Sequence, residues 1–143
     1  MNMTPKQALS VLLVEDSAVL AERLQEMLAS LEGIRVAGVV DGEAAAVKAL
    51  ANNPVDVILL DLHLRQGTGL GVLRELNKKG ARPIVIVFTN YDLAEYRRVA
   101  MEYGAEYFLD KSFDMDRLPK IMELIRSREL ESAHGPPPKS VSP

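Results

Sequence analysis

The sequence contains no cysteine, which excludes disulfide bonds, cysteine-ligated zinc sites and a cysteine nucleophile. It also has no apolar run approaching the roughly 20 residues that a membrane-spanning helix requires. Residues 1–10 carry polar and charged side chains and lack the apolar core of a secretory signal peptide. These absences predict a cytoplasmic protein that relies on neither cross-links nor a membrane.

The chain also has no excess of basic residues, because 17 lysines and arginines stand against 20 aspartates and glutamates and the net charge is -3. A nucleic-acid-binding surface typically carries a basic patch, so the composition argues against direct DNA binding. The 143 residues are enough for one domain with a substantial core. An apolar fraction of 48% and a charged fraction of 26% are ordinary for a globular protein.

Two periodicities alternate along the chain. Short, continuous apolar runs are typical of parallel strands that are buried on both faces. Between these runs, apolar residues recur at the three- and four-residue spacing of one helix face. Strands are predicted at 11–14, 34–40, 55–60, 84–88 and 105–109, and helices at about 17–31, 41–52, 70–79, 92–103 and from 114–116 onward.

Local signals predict where several helices begin and end. Asp41 is a good N-cap for the second helix, and Gly80 should close the third helix. Pro119 fits only in the first turn of the fifth helix, because a proline further inside would remove a backbone hydrogen bond.

The alternation predicts an α/β fold. Five strand–helix units with short connections imply a doubly wound, five-stranded parallel sheet with helices on both faces. We expect one domain over residues 9–131, an N-terminal tail over 1–8, and a flexible, proline-rich C-terminal tail over 132–143.

Charged and polar residues follow four of the predicted strands at their carboxyl ends, where open α/β sheets bind ligands. Glu15 and Asp16 follow the first strand, and Asp61 follows the third. Three carboxylates at one edge repel one another unless a cation lies among them, and oxygen ligands suit Mg²⁺. Asp61 could then act as a nucleophile toward phosphorus. Thr89, after the fourth strand, and Lys111, after the fifth, would supply hydrogen bonds and charge to phosphoryl oxygens.

Each of these residues also has an ordinary structural explanation. Glu15 and Asp16 are favourable at a helix N-terminus, and Asp61 could be an N-cap or a turn residue. Thr89 is a common type of turn residue, and Lys111 could be a solvated charge. The five residues indicate a site because all of them fall at strand ends of one predicted sheet.

Four stretches resemble the bacterial two-component response-regulator receiver domain: VLLVEDS, VDVILLDLHLRQGTGL, IVIVFTN and GAEYFLDKS. The resemblance covers residues 9–131. It implies a flavodoxin-like sheet with strand order 2-1-3-4-5 and five helices, and Mg²⁺-dependent phosphorylation of Asp61. It further implies that Asp16 binds the metal directly and Glu15 through a water, and that the backbone carbonyl of His63 completes the protein ligands.

The resemblance assigns the surrounding residues as well. Thr89 and Lys111 match the switch hydroxyl and the phosphate-contacting lysine, and Phe108 matches the aromatic residue whose rotamer follows that hydroxyl. Alternatively, Phe108 is an ordinary strand aromatic. His63 and Tyr91 occupy positions that tune hydrolysis of the aspartyl phosphate by gating water. The alternative is that both are exposed loop residues without a role.

Three positions depart from the commonest family pattern. Ser112 follows Lys111 where a proline is usual, Arg65 also replaces a proline, and Asn90 replaces a small residue. None of these changes removes a group that the chemistry needs, so they bear on loop geometry and rates. A cis bond before a non-proline residue costs about 2.5–4 kcal/mol, so the Lys111–Ser112 bond is predicted to be trans.

The resemblance implies a phosphoacceptor in a two-component phosphorelay. A sensor histidine kinase or a histidine phosphotransfer protein would supply the phosphoryl group, and a downstream protein would recognise the phosphorylated state. We expect the signal to leave through the fourth helix, fifth strand and fifth helix, a surface that could also mediate a homodimer. Exposed candidates on that surface are Tyr96, Arg97, Arg98, Glu102 and Tyr107.

Other functions stay open at this stage. The chain could be the receiver fragment of a longer DNA-binding or enzymatic response regulator. An aspartate-nucleophile phosphatase would use similar chemistry, but it places an Asp-x-Asp pair after its first strand, whereas here the third strand leads into Asp61, Leu62 and His63. A phosphorylation-independent relative is disfavoured because all five site residues are present. We therefore expect a signalling receiver that assists its own phosphorylation and dephosphorylation but is not an enzyme.

Overall fold

Strands and helices alternate through the residues that the computed structural model describes, which are 8–80, 83–91 and 93–133. The elements are β1 (Leu9–Val14), α1 (Ala18–Ala29), β2 (Ile34–Val40), α2 (Glu43–Asn52), β3 (Val57–Leu60), α3 (Gly69–Lys79), β4 (Ile84–Thr89), α4 (Ala94–Glu102), β5 (Tyr107–Asp110) and α5 (Leu118–Ala133). All strands are parallel, in the order β2-β1-β3-β4-β5. The predicted doubly wound sheet and its strand order are confirmed.

The strands β1 and β3 are buried on both faces, because their successive side chains point to opposite sides and helices pack on each side. In β1, Val11 and Leu13 pack with residues of α1 and α5, while Leu12 and Val14 pack with residues of α2, α3 and α4. The four residues of the central strand β3 are all buried. Burial on both faces explains why these strands have continuous apolar runs in the sequence.

Helix α1 begins within one residue of its predicted start, and local signals correctly place Gly80 and Pro119 in two other helices. The Ser17 side chain caps α1 by accepting a hydrogen bond from Leu20 N at 3.3 Å. Helix α3 ends at Gly80, whose φ of 68° lies in the left-handed region that glycine adopts without strain. Pro119 is the second residue of α5, within its first turn, as predicted. The α-helix itself begins at Leu118, later than the predicted start at 114–116, because a short 3₁₀ turn (Met115–Arg117) comes first.

The N-terminus of α2 differs from the prediction. Asp41 is not its N-cap, because Gly42 occupies that position and has no side chain that could cap the helix. Gln66 bonds the amides of the first turn instead. Its backbone carbonyl accepts from Glu43 N at 2.8 Å, and its side-chain oxygen accepts from Ala44 N at 3.0 Å. A residue that is distant in the sequence therefore replaces the local cap.

Strand β3 begins at Val57, two residues later than predicted, because Asp56 is engaged with Ser10 at the entrance to the sheet. Ser10 N and Oγ both donate to Asp56 Oδ2, at 2.8 and 3.0 Å, and Asp56 N donates to Ser10 Oγ at 3.1 Å. These reciprocal bonds join the starts of two neighbouring strands.

The fourth and fifth units also differ at their boundaries. Helix α4 begins at Ala94 because Leu93 is extended, and Asp92, the predicted first helical residue, lies outside the described residues. Strand β5 begins two residues later than predicted, since Ala105 N donates back to Ala100 O at 3.0 Å and lies in the turn that follows α4.

Helix α5 continues through Ala133 and so includes the first residues of the predicted C-terminal tail. The rest of that tail, like residues 1–7, lies outside the described residues, and the domain boundaries stay a prediction. Within the ranges that the structure describes, every helix is too short or too polar to cross a membrane.

Candidate functional site

The carboxyl ends of four strands meet at one edge of the sheet and bring the predicted site residues to that edge. Glu15 and Asp16 follow β1, Asp61 follows β3, Thr89 ends β4, and Lys111 follows β5. Glu15, Asp61 and Thr89 are buried, with exposed fractions of 3%, 5% and 0%. Buried polar groups need hydrogen-bond partners, and the partners of these residues define the site.

Lys111 joins two of the carboxylates. Its Nζ lies 2.7 Å from Asp61 Oδ2 and 2.9 Å from Glu15 Oε1. The other oxygen of each carboxylate has a backbone donor. Ser17 N donates to Glu15 Oε2 at 3.0 Å, and His63 N donates to Asp61 Oδ1 at 3.1 Å. Both buried carboxylates are therefore hydrogen-bonded at each oxygen.

The three carboxylates are close enough to share one cation. Glu15, Asp16 and Asp61 each offer an oxygen, and these oxygens lie within 4.8 Å of one another. Lys111 offsets only one of the three negative charges, so the cluster still favours a cation. Oxygen donors of this kind suit a hard metal ion. His63, the fourth predicted ligand, lies beside the cluster, because its backbone amide donates a hydrogen bond to Asp61 Oδ1.

Burial and pairing act in opposite directions on the pKa values of the site. Burial raises the pKa of the Glu15 carboxyl, and this effect outweighs the hydrogen bonds from Lys111 and Ser17 that would lower it. Burial would lower the pKa of Lys111, but its hydrogen bonds to Asp61 and Glu15 outweigh burial, and the pKa is raised. Lys111 therefore keeps its positive charge beside Asp61 at neutral pH.

Thr89 is fixed at the end of β4 by two hydrogen bonds. Its hydroxyl oxygen accepts from Tyr91 N at 3.2 Å, and its carbonyl accepts from Lys111 N at 3.0 Å. A hydroxyl that accepts one hydrogen bond can still donate its own proton. Thr89 is therefore able to donate to a group that binds at this edge of the sheet.

The loop after β3 is packed against the backbone of Asp61. Gly69, the first residue of α3, donates from its amide to Leu62 O at 2.9 Å. A Cβ at Gly69 would overlap the carbonyl oxygen of Asp61 and press on the Leu62 backbone. Arg65, where the family usually has a proline, donates to Asp16 O at 3.3 Å. This hydrogen bond joins the loop after β3 to the loop after β1.

The loop after β5, where Ser112 replaces the usual proline, is held by side-chain hydrogen bonds. The Lys111–Ser112 bond is trans, as predicted. Asp110 Oδ1 accepts from Ser112 N at 2.7 Å, and Asp114 Oδ2 accepts from Asp110 N at 2.8 Å. A proline at position 112 would lack the first of these donors, so this turn uses a hydrogen bond that the usual family residue cannot make.

His63 and Tyr91, which flank the site in the sequence, are in contact. Their ring centroids lie 4.8 Å apart, and the Tyr91 ring meets the Tyr96 ring of α4 edge-on at 6.1 Å. All three side chains are exposed at the surface. Sequence reasoning identified the first two positions but not the contact with Tyr96, because helical periodicity does not tell which loop a helix faces.

Phe108 is buried, and Arg97 of α4 lies over its ring. The guanidinium carbon is 4.6 Å from the ring centroid, and Arg97 Nη1 donates to Phe108 O at 3.5 Å. A guanidinium over an aromatic face is a favourable contact. Arg97 was predicted only as a surface residue, so its link between α4 and β5 is an addition to the sequence-based site.

The predicted signalling surface is mostly exposed. Tyr96, Arg97, Arg98 and Glu102 are exposed on α4, and Arg98 Nη1 lies 3.1 Å from Glu102 Oε2. The prediction for Tyr107 is wrong, because this residue is half-buried and packs against the core between the sheet and α1 and α5. As the first residue of the edge strand, Tyr107 points its ring toward that layer.

Comparisons with known proteins identify the family. The model for the response regulator receiver domain matches residues 11–123. Response regulator protein PmrA of Pseudomonas aeruginosa is 36% identical over 108 residues, which cover 76% of this chain and 48% of PmrA. Protein-glutamate methylesterase/protein-glutamine glutaminase 5 of Myxococcus xanthus is 32% identical, with 99% of this chain and 42% of that protein covered. The chain thus spans half or less of the length of these relatives.

A solved structure agrees with the sequence comparisons. The response regulator domain of Thermotoga maritima CheB is similar with a TM-score of 0.74 and 26% identity, covering 84% of this chain and 95% of that one. The family match includes all four strand ends that carry the acidic cluster, Thr89 and Lys111. The chain belongs to the response regulator receiver domain family.

Proposed function

We propose that this receiver domain accepts a phosphoryl group on Asp61, with Mg²⁺ as the metal, and changes a partner-binding surface in response. Phosphorylation switching is the general function of the family, whose model matches residues 11–123. The observation that carries the choice of Asp61 is its 2.7 Å contact with the Lys111 ammonium inside a cluster of three carboxylates. This contact places a positive charge where a phosphoryl group on Asp61 would need one.

Asp61 is the nucleophile in this proposal. A carboxylate oxygen attacks the phosphorus of a phosphohistidine or a small phosphodonor, and the bond from phosphorus to the donor breaks with its electron pair on the donor. Lys111 exchanges its bond to Asp61 Oδ2 for one to a phosphoryl oxygen, and Thr89 donates to another. The domain is a signalling module that assists its own phosphorylation and dephosphorylation.

Mg²⁺ is the cation that we propose for the acidic cluster. Asp16 and Asp61 would bind it directly, Glu15 through a water, and the His63 carbonyl would complete the protein ligands. When bound, the metal neutralises charge on the attacking carboxylate and on the phosphoryl oxygens. The grouping of three carboxylate oxygens within 4.8 Å supports this assignment.

The test is phosphorylation by a small phosphodonor in the presence of Mg²⁺. The protein should gain one acid-labile phosphoryl group, detected by intact-protein mass spectrometry, and Asp61→Asn or added EDTA should abolish the gain. Asp41→Asn is the matched control, because Asp41 follows β2 at the same sheet edge but is exposed. Incorporation that persists in Asp61→Asn would show that another residue is the nucleophile, and steady turnover of phosphate esters would favour a phosphatase.

We place the output on the surface formed by α4, β5 and α5. The Tyr91–Tyr96 and Phe108–Arg97 contacts support this choice, since both join α4 to elements that end at the site. A ligand shifts a conformational equilibrium only by its difference in affinity for the two states. We expect that difference to be on the order of 1–3 kcal/mol. The same surface could mediate a homodimer.

The proposed phosphodonor is a sensor histidine kinase or a histidine phosphotransfer protein, and a downstream protein reads the switch. Two exposed apolar side chains support protein docking near the site. Val19, in the first turn of α1, is 72% exposed, and Phe113, two residues after Lys111, is 81% exposed. We propose that a protein partner docked at this edge of the sheet would cover both side chains. We propose a cytoplasmic location and no direct contact with nucleic acid.

A second candidate is the same receiver as one part of a longer response regulator. The observation that favours it is length, because the chain spans 48% of PmrA and 42% of the Myxococcus xanthus methylesterase. In that case an attached DNA-binding or enzymatic domain would read the α4–β5–α5 surface within one polypeptide. The mass of the protein in its native host separates the two possibilities.

A further inference from the structure

Three hydrogen bonds tie the loop between β3 and α3 to the N-terminus of α2. Gln66 O accepts from Glu43 N at 2.8 Å, and Gln66 Oε1 accepts from Ala44 N at 3.0 Å. In the opposite direction, the Glu43 carboxylate accepts from Thr68 N at 2.9 Å. Glu43 therefore contributes both a backbone donor and a side-chain acceptor to the same loop.

The space that the Glu43 side chain occupies is left open by two glycines. Gly67 has a φ of 74°, and a Cβ there would overlap the Glu43 side chain. A Cβ at Gly71, in the first turn of α3, would overlap the Glu43 carboxylate. The loop and the start of α3 are thus shaped around this glutamate.

The contact continues to the phosphoacceptor. Thr68, which Glu43 holds, pairs with His63 across the base of the loop in an antiparallel bridge. His63 N in turn donates to Asp61 Oδ1 at 3.1 Å. One chain of contacts therefore runs from Glu43 through the loop to the carboxylate that we propose is phosphorylated.

We propose that Glu43 is a positioning residue that fixes the β3–α3 loop so that the His63 carbonyl and Asp61 are preorganised for the metal. This inference rests on the proposed function, because it takes the His63 carbonyl as a ligand. When the loop is held in place, less conformational freedom is lost on binding. Groups that orient metal ligands typically change metal affinity by 10–100-fold when mutated.

The first experiment compares Mg²⁺ affinity by calorimetry in wild type, Glu43→Ala and Glu43→Gln. Glu43→Ala should weaken binding about tenfold, because the loop loses its acceptor. Glu43→Gln keeps an oxygen acceptor of the same reach and should retain most of the affinity. Equal losses in both variants would indicate a charge effect and overturn the positioning role.

A second variant removes the contact without changing the charge. Gly71→Ala should displace the Glu43 carboxylate and weaken Mg²⁺ binding, but in the Glu43→Ala background it should change the affinity little further. Such non-additivity is expected of two residues that act through one contact. Additive losses would overturn the proposal.

Amide hydrogen exchange without metal gives an independent readout. Thr68 and His63 should exchange faster in Glu43→Ala, while amides of β1 keep their wild-type rates and so report an intact fold. Unchanged exchange at both amides would overturn the inference. If wild type itself bound no Mg²⁺, the proposed function would fail, whereas equal affinity of wild type and Glu43→Ala would overturn the positioning role alone.

Discussion

At the residue scale, Lys111 takes over part of the charge neutralisation that a metal ion would supply. Its ammonium contacts both Glu15 and Asp61, and its side chain is only 12% exposed. The raised pKa of Lys111 keeps this charge in place. A cation bound to the same carboxylates would lie close to the ammonium, and like charges repel. Lys111 should therefore stabilise the metal-free protein while opposing metal binding.

Lys111→Met tests both effects, because methionine keeps much of the length and removes the charge. Mg²⁺ should bind about tenfold more tightly, since a like charge a few ångströms away is removed. Without metal, the free energy of unfolding should fall by about 3 kcal/mol because two buried carboxylates lose their partner. Calorimetry and urea denaturation, with and without Mg²⁺, measure the two quantities.

A matched control for this variant is Lys120→Met, since Lys120 is exposed on α5. It should leave both the Mg²⁺ affinity and the stability close to wild type. Unchanged affinity in Lys111→Met would contradict the view that the ammonium competes with the metal for the same carboxylates.

At the scale of single elements, the turn between β5 and α5 holds Lys111 by carboxylate hydrogen bonds. Asp114 accepts from Asp110 N at 2.8 Å and also contacts Arg117 Nη1 at 3.3 Å. The hydrogen bond from the Asp110 amide holds the pKa of Asp114 below its ordinary value, and Arg117 adds to this effect. The ionised form of Asp114 therefore stabilises the turn.

Asp114→Asn should lower the free energy of unfolding at neutral pH by about 1 kcal/mol, because a neutral amide is the weaker acceptor. A lowered folded-state pKa contributes stability above the unfolded value, about 3.9 for aspartate. That contribution is lost as the pH falls through the folded-state pKa. Urea denaturation from neutral pH to about pH 3 should therefore show the two proteins converging.

The neighbouring Asp116→Asn serves as the control, because Asp116 is exposed on the 3₁₀ turn. It should leave the free energy of unfolding at neutral pH close to that of wild type. A deficit of Asp114→Asn that persisted undiminished at the acid end would mean that the ionised carboxylate is not what stabilises the turn.

Much of the site could be predicted from the sequence because its residues directly follow apolar runs. Glu15, Asp61 and Lys111 fall at the carboxyl ends of predicted parallel strands, and those ends share one edge. The cap of α2 could not be predicted, because the local candidate Asp41 is replaced by Gln66, which lies 22 residues beyond the amide it bonds. Contacts of this kind depend on how loops meet helices, and no periodicity records that.

At the scale of the whole molecule, α4 is joined to the site by two contacts of different kinds. Tyr91 reaches Tyr96 through ring contact, and Arg97 lies over Phe108 on the edge strand. The ring contact starts at Tyr91, which lies two residues after Thr89. Tyr91 N also donates a hydrogen bond to the Thr89 hydroxyl oxygen. A group to which the Thr89 hydroxyl donates would therefore be joined, through the same oxygen, to the start of this path.

NMR with a phosphate mimic and Mg²⁺ measures how far the response spreads. Chemical-shift changes should reach beyond the strand ends into residues 90–112, because Thr89 and Lys111 lie at either end of that segment. Asp61→Asn with the same additions should show little change. Shifts confined to the neighbourhood of Asp61 would favour a phosphate carrier that passes its group to a histidine of another protein.

Gly69 stands at a position where the structure leaves no space for a side chain. The atoms that a side chain at this position would meet belong to the backbone of Asp61 and Leu62, not to a flexible side chain that could move aside. Any substitution would therefore shift the backbone of Asp61, the proposed phosphoacceptor. If Asp61 accepts the phosphoryl group, a side chain at position 69 should impair phosphorylation, although this residue supplies no functional group. The residue type at position 69 is therefore constrained by the space that the backbone of Asp61 and Leu62 occupies.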